Sequence, residues 1–142
     1  LSVPPFLASS VLNVIISQRL VRKICKTCIV SYEAGPEVKK VISEKFRELG
    51  IGDTTLKVPA LLYRGNGCRV CGTTGYHGRI GIFEVLAVTD KIKKLITDPR
   101  FDLEAIRNEA RREGMKTMFE DGMAKAELGV TTLEEVLRVI KA

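Results

Sequence analysis

The chain of 142 residues carries a net charge of +6 and 45% hydrophobic residues, enough for one domain of ordinary size or two small domains sharing a site. No apolar run approaches the roughly 18 residues that a membrane-spanning helix needs, and no secretory signal pattern is present. The modest positive charge permits contact with phosphates or anionic lipids without requiring it. Because the sequence begins at Leu1 without a methionine, we expect it to be a piece of a longer protein.

The first predicted element is a helix that begins at Ser9 or Ser10, either of which can cap it. Its apolar positions cover more than one narrow stripe, so we expect it to bury two faces. A small domain rarely covers both faces, and we therefore expect part of its packing partner to lie upstream of Leu1. The apolar residues assigned to this helix are Val11, Leu12, Ile15, Ile16, Leu20, Val21 and Ile24.

The four cysteines form two pairs with two residues inside each pair, Cys25 with Cys28 and Cys68 with Cys71. This spacing lets one tight turn aim two thiolates at a single point, and two such turns supply the four tetrahedral sulfur ligands of a structural Zn²⁺. Disulfide bonds or a redox role are the competing interpretation. Small disulfide scaffolds lack a sufficient apolar core, whereas this chain is rich in apolar residues, so the pattern favours zinc in a reducing compartment.

Several cations lie around the first cysteine pair, namely Arg19, Arg22, Lys23 and Lys26. Cations stabilise the carboxyl end of a helix and also offset the negative charge of a zinc ion bound by four thiolates. We favour these two structural roles over phosphate binding, which stays open as an alternative.

Between the cysteine pairs, residues 31–35 predict a turn, and Pro36 begins a predicted helix that runs to Leu49 before Gly50. Residues 56–64 predict one strand, or two short strands broken at Pro59.

A stronger strand is predicted over residues 79–88. We expect it to pair in antiparallel fashion with the strand at 56–64, with the second cysteine pair at the tip. The glycine-rich segment between these strands lacks the residue order of a phosphate-binding loop. The lone His77 is interpreted as a turn residue rather than as a ligand.

From Thr89 onward the sequence predicts successive helices. Thr89 and Asp102 can each cap a helix, and the sequences at 117–120 and 132–135 match the capping box. These helices hold no arrangement suited to catalysis. The predicted fold class is therefore α+β: an N-terminal helix, a zinc-knuckle subdomain with a small antiparallel sheet, and a C-terminal helical bundle.

Several stretches resemble one known family. Residues 67–71 and 74–86 look like the metal-binding region of the traffic ATPases of type II secretion (GspE) and type IV pilus extension (PilB). Residues 17–25 are similar to the segment that leads into the first cysteine pair of these ATPases. Residues 120–126 and 129–138 are similar to their carboxyl end. The resemblance follows the same order along nearly the whole chain.

The resemblance implies a C-terminal fragment of such an ATPase, in which the tetracysteine subdomain follows a RecA-like nucleotide-binding core. We expect residues 1–24 to be the terminal helix of that upstream core, residues 25–88 the zinc-binding subdomain, and residues 89–142 a C-terminal helical subdomain. Full-length members hydrolyse ATP with Mg²⁺ as hexamers on the cytoplasmic side of the inner membrane. They power polymerisation of pilin or pseudopilin subunits through a membrane platform protein. The implied partners are therefore the upstream core, neighbouring subunits and that platform protein.

The family's phosphate-binding loop and acidic boxes precede the segment that this chain covers, so only the cysteines carry over as site residues. We expect no catalytic residue and no ATP turnover by this chain alone. Arg19 lies in a segment of the core domain, where we favour an ion pair or a helix-end charge over a role near the nucleotide.

A nucleic-acid-binding zinc module is the alternative function. The basic composition and the cysteine spacing favour it, but the chain has no tryptophan and few aromatic residues for stacking on bases. We therefore expect no nucleic-acid partner. The sequence does not separate a secretion system from a pilus system.

Overall fold

The computed structural model describes residues 3–52 and 58–140 of the chain. Within these ranges it forms an α+β fold with an N-terminal helix, two small two-stranded sheets and C-terminal helices, which confirms the predicted fold class. The elements are α1 (Pro5–Val11), β1 (Val14–Ile24), β2 (Ile29–Glu33), α2 (Pro36–Glu48), β3 (Leu61–Gly65), β4 (Tyr76–Ala87), α3 (Asp90–Thr97), α4 (Leu103–Arg112), α5 (Met118–Glu127) and α6 (Leu133–Ile140).

The chain folds into two compact units. The first contains Leu1–Arg19 and Gly81–Asp121, and the second contains Leu20–Ile80 and Gly122–Ala142. All four cysteines lie in the second unit. The domain boundaries expected from the sequence after residues 24 and 88 stay a prediction.

The prediction of a helix over residues 11–24 is wrong. The helix α1 begins earlier, at Pro5, and ends at Val11, and the residues from Val14 to Ile24 form the strand β1. Proline is well tolerated in the first turn of a helix, which explains the early start. Strand β1 is rich in β-branched residues, whose side chains favour an extended backbone.

Strand β1 pairs with β4. The N–H of Val88 donates to the carbonyl oxygen of Asn13, and the N–H of Cys25 donates to that of Gly75, each over 2.9 Å. Because the two bonds connect the strands in opposite order, the pair is antiparallel. Within the second unit, Val21 and Ile24 are buried at the end of β1.

The predicted pairing of the strands at 56–64 and 79–88 is also wrong. Strand β3 pairs in antiparallel fashion with β2, in a register that joins Ile29 to Gly65 and Glu33 to Leu61. Part of β2 occupies residues predicted as a turn, and the start of the predicted strand, at 56–57, lies outside the described residues. The sequence predicts extended segments from local composition, but strand partners depend on contacts between distant residues.

The helices after β1 agree with the local start and stop signals. Helix α2 begins at Pro36 and is followed by Gly50 with a φ of 64°, and it buries Ile42 and Phe46. The hydroxyl oxygen of Thr89 accepts a hydrogen bond from the N–H of Ile92 over 3.3 Å, which caps α3.

The cap of α4 is Asp102, whose carboxylate accepts from the N–H of Glu104 over 2.9 Å. Both hydrogen bonds of the predicted capping box before α5 are present, which confirms it. The N–H of Thr117 donates to the Glu120 carboxylate over 2.6 Å, and the N–H of Glu120 donates to the Thr117 hydroxyl over 3.3 Å.

The core of the first unit joins the end of β4 to helices α3 and α4. Its buried members are Val88, Ile92, Ile106 and Ala110. Leu103 of the same helix α4 is 59% exposed and does not belong to this core. Leu103 is the first residue of α4, at the end of the helix that lies outside this core.

Among the helices of residues 3–52 and 58–140, none has the length and apolar character required to cross a membrane.

Candidate metal centre

The two cysteine pairs meet in the second unit. The ligand sulfur atoms of Cys25, Cys28, Cys68 and Cys71 all lie within 4.8 Å of one another. Cys25 and Cys71 are buried, and Cys28 and Cys68 are half-buried. The tertiary structure therefore brings together all four residues that the sequence singled out as ligands, although the pairs are far apart in the chain.

The distances between sulfur atoms match a tetrahedral metal site. Bonds of about 2.3 Å from Zn²⁺ to sulfur at tetrahedral angles place neighbouring sulfurs about 3.8 Å apart. The Sγ atoms are separated by 3.8 Å between Cys25 and Cys68, 3.9 Å between Cys28 and Cys71, and 3.7 Å between Cys68 and Cys71. All four cysteines are free thiols. The donor set and its spacing thus fit a single Zn²⁺.

Each cysteine pair sits on a turn that connects strands of the two sheets. The first turn leads from β1 to β2 and is closed by a bond from the N–H of Cys28 to the carbonyl oxygen of Cys25 over 3.2 Å. The second turn lies between β3 and β4, and the N–H of Thr73 donates to the carbonyl oxygen of Cys68 over 2.9 Å. The strands therefore fix the direction in which each turn presents its sulfurs.

Glycine is required where the two sides of the second turn approach each other. Gly75 has a φ of 78°, and a side-chain carbon placed on it would lie 2.5 Å from the carbonyl oxygen of Gly65. Gly67 has a φ of 88°, and a carbon there would lie 2.7 Å from the carbonyl oxygen of Thr73. A larger residue at either position would open the turn.

Backbone hydrogen bonds affect the ionisation of the thiols. Burial by itself raises the pKa of Cys71, but the N–H groups of Cys68 and Gly75, which lie 3.2 and 3.3 Å from its sulfur, lower that pKa to about 6. The pKa of Cys28 is raised to about 12, first by burial and then by the neighbouring sulfurs. Four clustered thiols are difficult to deprotonate together, because the thiolates repel one another. A bound divalent cation would compensate this negative charge and favour the deprotonated form.

The lone histidine lies outside the sulfur cluster. His77 is exposed on β4, so it is a strand residue rather than the turn residue expected from the sequence. The cations near the first turn do not stand at a helix end, because Arg19, Arg22 and Lys23 lie in strand β1 and Lys26 lies in the turn that follows it. Of these, Arg22 points to a carboxylate from the C-terminal part of the chain.

That carboxylate belongs to Glu135, a functional candidate that the sequence analysis missed. It is only 2% exposed, and its oxygens accept from the Arg22 guanidinium, from the backbone N–H of Arg22 and from the Arg138 guanidinium, each over 2.8 Å. Burial by itself would raise the pKa of Glu135, but the hydrogen bonds from Arg138 and Arg22 lower it to about 2.

The capping box at 132–135 was the only sequence signal for this residue. The Thr132 hydroxyl does accept from the N–H of Glu135 over 3.2 Å, as the box predicts. The carboxylate of Glu135, however, is directed at Arg22 of β1 and at Arg138 of its own helix. A capping box gives no signal for a partner more than 100 positions earlier in the chain.

Comparison with known proteins identifies the family. A sequence model of the family described as "Type II/IV secretion system protein" matches residues 1–138. The chain is 44% identical over 137 residues to "Type IV pilus assembly ATPase PilB" of Thermus thermophilus, covering 96% of this chain and 14% of that protein.

Two further relatives come from the two kinds of system, type II secretion and type IV pilus assembly. The chain is 38% identical to "Type II secretion system ATPase E" of Vibrio cholerae, covering 99% of this chain and 26% of that protein. It is 39% identical to "Type IV pilus assembly ATPase PilB" of Pseudomonas aeruginosa, covering 99% of this chain and 23% of that protein. The chain therefore spans about a quarter or less of these relatives, and it belongs to the type II/IV secretion system protein family.

Proposed function

We propose that Cys25, Cys28, Cys68 and Cys71 bind one structural Zn²⁺. The single observation that supports this most strongly is the convergence of four thiol sulfurs within 4.8 Å. A closed set of four thiolates leaves no position open for water or substrate, which is the pattern of structural rather than catalytic zinc. Bound Zn²⁺ would hold the two turns together and thereby fix the strands on either side of them.

We further propose that the chain is the C-terminal zinc-binding region of a secretion or pilus assembly ATPase. The names of the relatives support this, since they describe ATPases of type II secretion and type IV pilus assembly. ATP and Mg²⁺ would act in the full-length hexamer, which would power polymerisation of pilin or pseudopilin. This chain itself would serve a structural and partner-contacting role and would not turn over ATP.

The proposed partners follow from that assignment. They are the upstream ATPase core, the neighbouring subunits of the hexamer and an inner-membrane platform protein. The parent protein would work in the cytoplasm, peripheral to the inner membrane.

Metal analysis tests the proposed site directly. We expect the purified chain to contain one zinc per molecule, and the Cys68→Ser variant to lose it. Cobalt substitution should give the ligand-field and charge-transfer bands of a tetrahedral site with four sulfurs.

His77→Ala is the matched control, because it removes the lone imidazole and leaves every sulfur in place. We expect its cobalt spectrum to equal that of the wild type. Zinc-free wild-type protein after exposure to zinc under reducing conditions would refute the proposed site.

A further inference from the structure

The C-terminal segment at residues 129–138 contacts all four strands that lead into or out of the cysteine turns. The N–H of Ile24, the residue before Cys25, donates to the carbonyl oxygen of Val130 over 2.9 Å. The hydroxyl of Thr131 donates to the carbonyl oxygen of Arg22 over 2.7 Å. The segment therefore fixes the backbone of β1 immediately before its first metal-ligand candidate.

The strand that follows the second turn is held by the same segment. The hydroxyl groups of Tyr76 and Thr132 lie 2.9 Å apart and share a hydrogen bond. Tyr76 follows Gly75, whose carbonyl oxygen accepts the bond from the N–H of Cys25. The Arg22 guanidinium lies over the ring of Tyr76 at 4.1 Å from its centroid, which joins β1 and β4 on this side.

The other two strands, β2 and β3, contact the first residue of the C-terminal segment, Gly129. Gly129 has a φ of 72°, and a side-chain carbon placed on it would lie 3.2 Å from Ile29 of β2 and 3.2 Å from Tyr63 of β3. Ile29 directly follows Cys28, so this contact reaches the exit of the first turn. The C-terminal segment thus packs beside both sheets at the point where each one meets the sulfur cluster.

Glu135 is the buried centre of these contacts. Its carboxylate accepts both from the side chain of Arg22 and from the backbone N–H of Arg22, so it fixes the strand itself and not only a flexible side chain. Loss of the carboxylate would leave that part-buried N–H without its charged acceptor, which is more costly than loss of an exposed ion pair.

We propose that Glu135 is a positioning residue for the metal centre and that zinc binding is coupled to docking of α6. The proposal rests on the proposed zinc site. Zinc would order the ends of the four strands that receive residues 129–138, and the docked segment would order the same strand ends for zinc. Because such coupling is reciprocal, docking of residues 129–138 strengthens zinc binding by the same factor by which zinc strengthens docking, and a variant in which this segment undocks must lose zinc affinity by up to that factor.

The test compares Glu135→Gln with Glu134→Gln, which removes an exposed carboxylate from the adjacent position of α6. Zinc affinity is measured by competition with a chromophoric chelator, and amide hydrogen exchange is followed for residues 130–140 with zinc and after its removal. We expect Glu135→Gln to weaken zinc affinity by about 5- to 150-fold, the usual range of coupling between sites. Glu134→Gln should stay within about twofold of the wild type, as expected for an exposed charge.

Exchange reports the coupling from the side of α6, and the zinc affinity of a folded Glu135→Gln variant reports it from the side of the sulfur atoms. Removal of zinc should speed exchange at residues 130–140, whereas amides of α4 in the first unit should keep their rates. Unchanged exchange at 130–140 after zinc removal would overturn the coupling, as would wild-type zinc affinity in a folded Glu135→Gln variant.

A milder variant covers the case in which Glu135→Gln does not fold. Tyr76→Phe removes the hydroxyl that bonds to Thr132 but keeps the ring beneath Arg22. We expect it to weaken zinc affinity by about 2- to 10-fold, as for one hydrogen bond of ordinary strength, and wild-type affinity would count against the coupling. A wild-type chain that binds no zinc at all would overturn the zinc site itself, whereas a zinc-binding chain with unaffected variants would overturn only the coupling.

Discussion

The backbone N–H of Cys25 donates a hydrogen bond to the carbonyl oxygen of Gly75 over 2.9 Å, and this bond joins the first cysteine turn to the end of the second. A second bond returns from the N–H of Asn66 to the carbonyl oxygen of Cys28 over 3.0 Å. The turns therefore hold each other through their backbones as well as through their sulfurs. A substitution that moves Gly75 away from Cys25 or Gly65 should therefore disturb the metal centre.

Gly75→Ala should be strongly destabilising, and Gly72→Ala is its matched control. Both glycines have positive φ values, 78° and 58°, so both substitutions carry the cost of a left-handed backbone, about 1–2 kcal/mol. Only at Gly75 would the new carbon meet backbone, that of Gly65, whereas nothing lies within 4 Å at Gly72. We expect Gly75→Ala to lower the free energy of unfolding by a further ~1–3 kcal/mol and to weaken zinc binding.

Urea unfolding with zinc present measures the first effect, and chelator competition measures the second. Equal losses of stability in the two alanine variants would contradict the role assigned to the close approach of Gly65 and Gly75.

Removal of zinc should unfold the second unit and spare the core of the first. Structural zinc sites contribute about 10–16 kcal/mol of apparent binding free energy, which is comparable to the whole stability of a small domain. After chelation we expect loss of β2, β3 and α6, while the helices around Ile92 and Ile106 stay formed. Far-UV circular dichroism should show a partial loss of helix, and hydrogen exchange should locate it. An unchanged spectrum with zinc demonstrably removed would contradict this expectation.

The ion pairs of Glu135 should make stability depend on pH in the acid range. The pKa of this carboxyl falls from its ordinary value of 4.5 to about 2 in the folded chain. A carboxyl with a lowered folded pKa stabilises the fold above its unfolded pKa, and the stabilisation is lost as pH falls towards the folded pKa. The stability advantage of the wild type over Glu135→Gln should therefore be constant above about pH 5 and shrink between about pH 4.5 and pH 2.

Urea unfolding across that range gives the comparison, with Glu134→Gln as the control for general acid effects. Because protonation of the thiolates releases zinc at low pH, zinc content is measured at each pH and only zinc-loaded samples are compared. A stability difference between wild type and Glu135→Gln that does not change with pH would show that the arginines do not lower the pKa of the Glu135 carboxyl.

The core of the first unit should depend on Ile106 but not on Leu103. Ile106 is 7% exposed and packs with Ile92 and Ala110, whereas Leu103 is 59% exposed on the same helix. We expect Ile106→Ala to lower the free energy of unfolding by about 2–5 kcal/mol, and Leu103→Ala to change it by less than about 0.5 kcal/mol. Thermal unfolding of the zinc-loaded variants measures both. Zinc content should stay at the wild-type level, since no cysteine lies in the first unit.

The sequence by itself determined the features that depend on near neighbours in the chain. The spacing of Cys25 from Cys28 and of Cys68 from Cys71 predicts two ligand turns, because a turn of that length aims both sulfurs the same way. The caps at Thr89 and Asp102 were predicted for the same reason, since a side chain and the amides that it caps lie within one helical turn.

Only the tertiary structure decided the features that join distant residues. The segment around Ile16 has an apolar pattern compatible with a helix, but its pairing with β4 makes it a strand. The pairing of β2 with β3 and the bond from Arg22 to Glu135 likewise depend on which surfaces meet in the folded chain. Local preferences differ by about 1 kcal/mol or less per residue, so long-range pairing and burial select the final conformation.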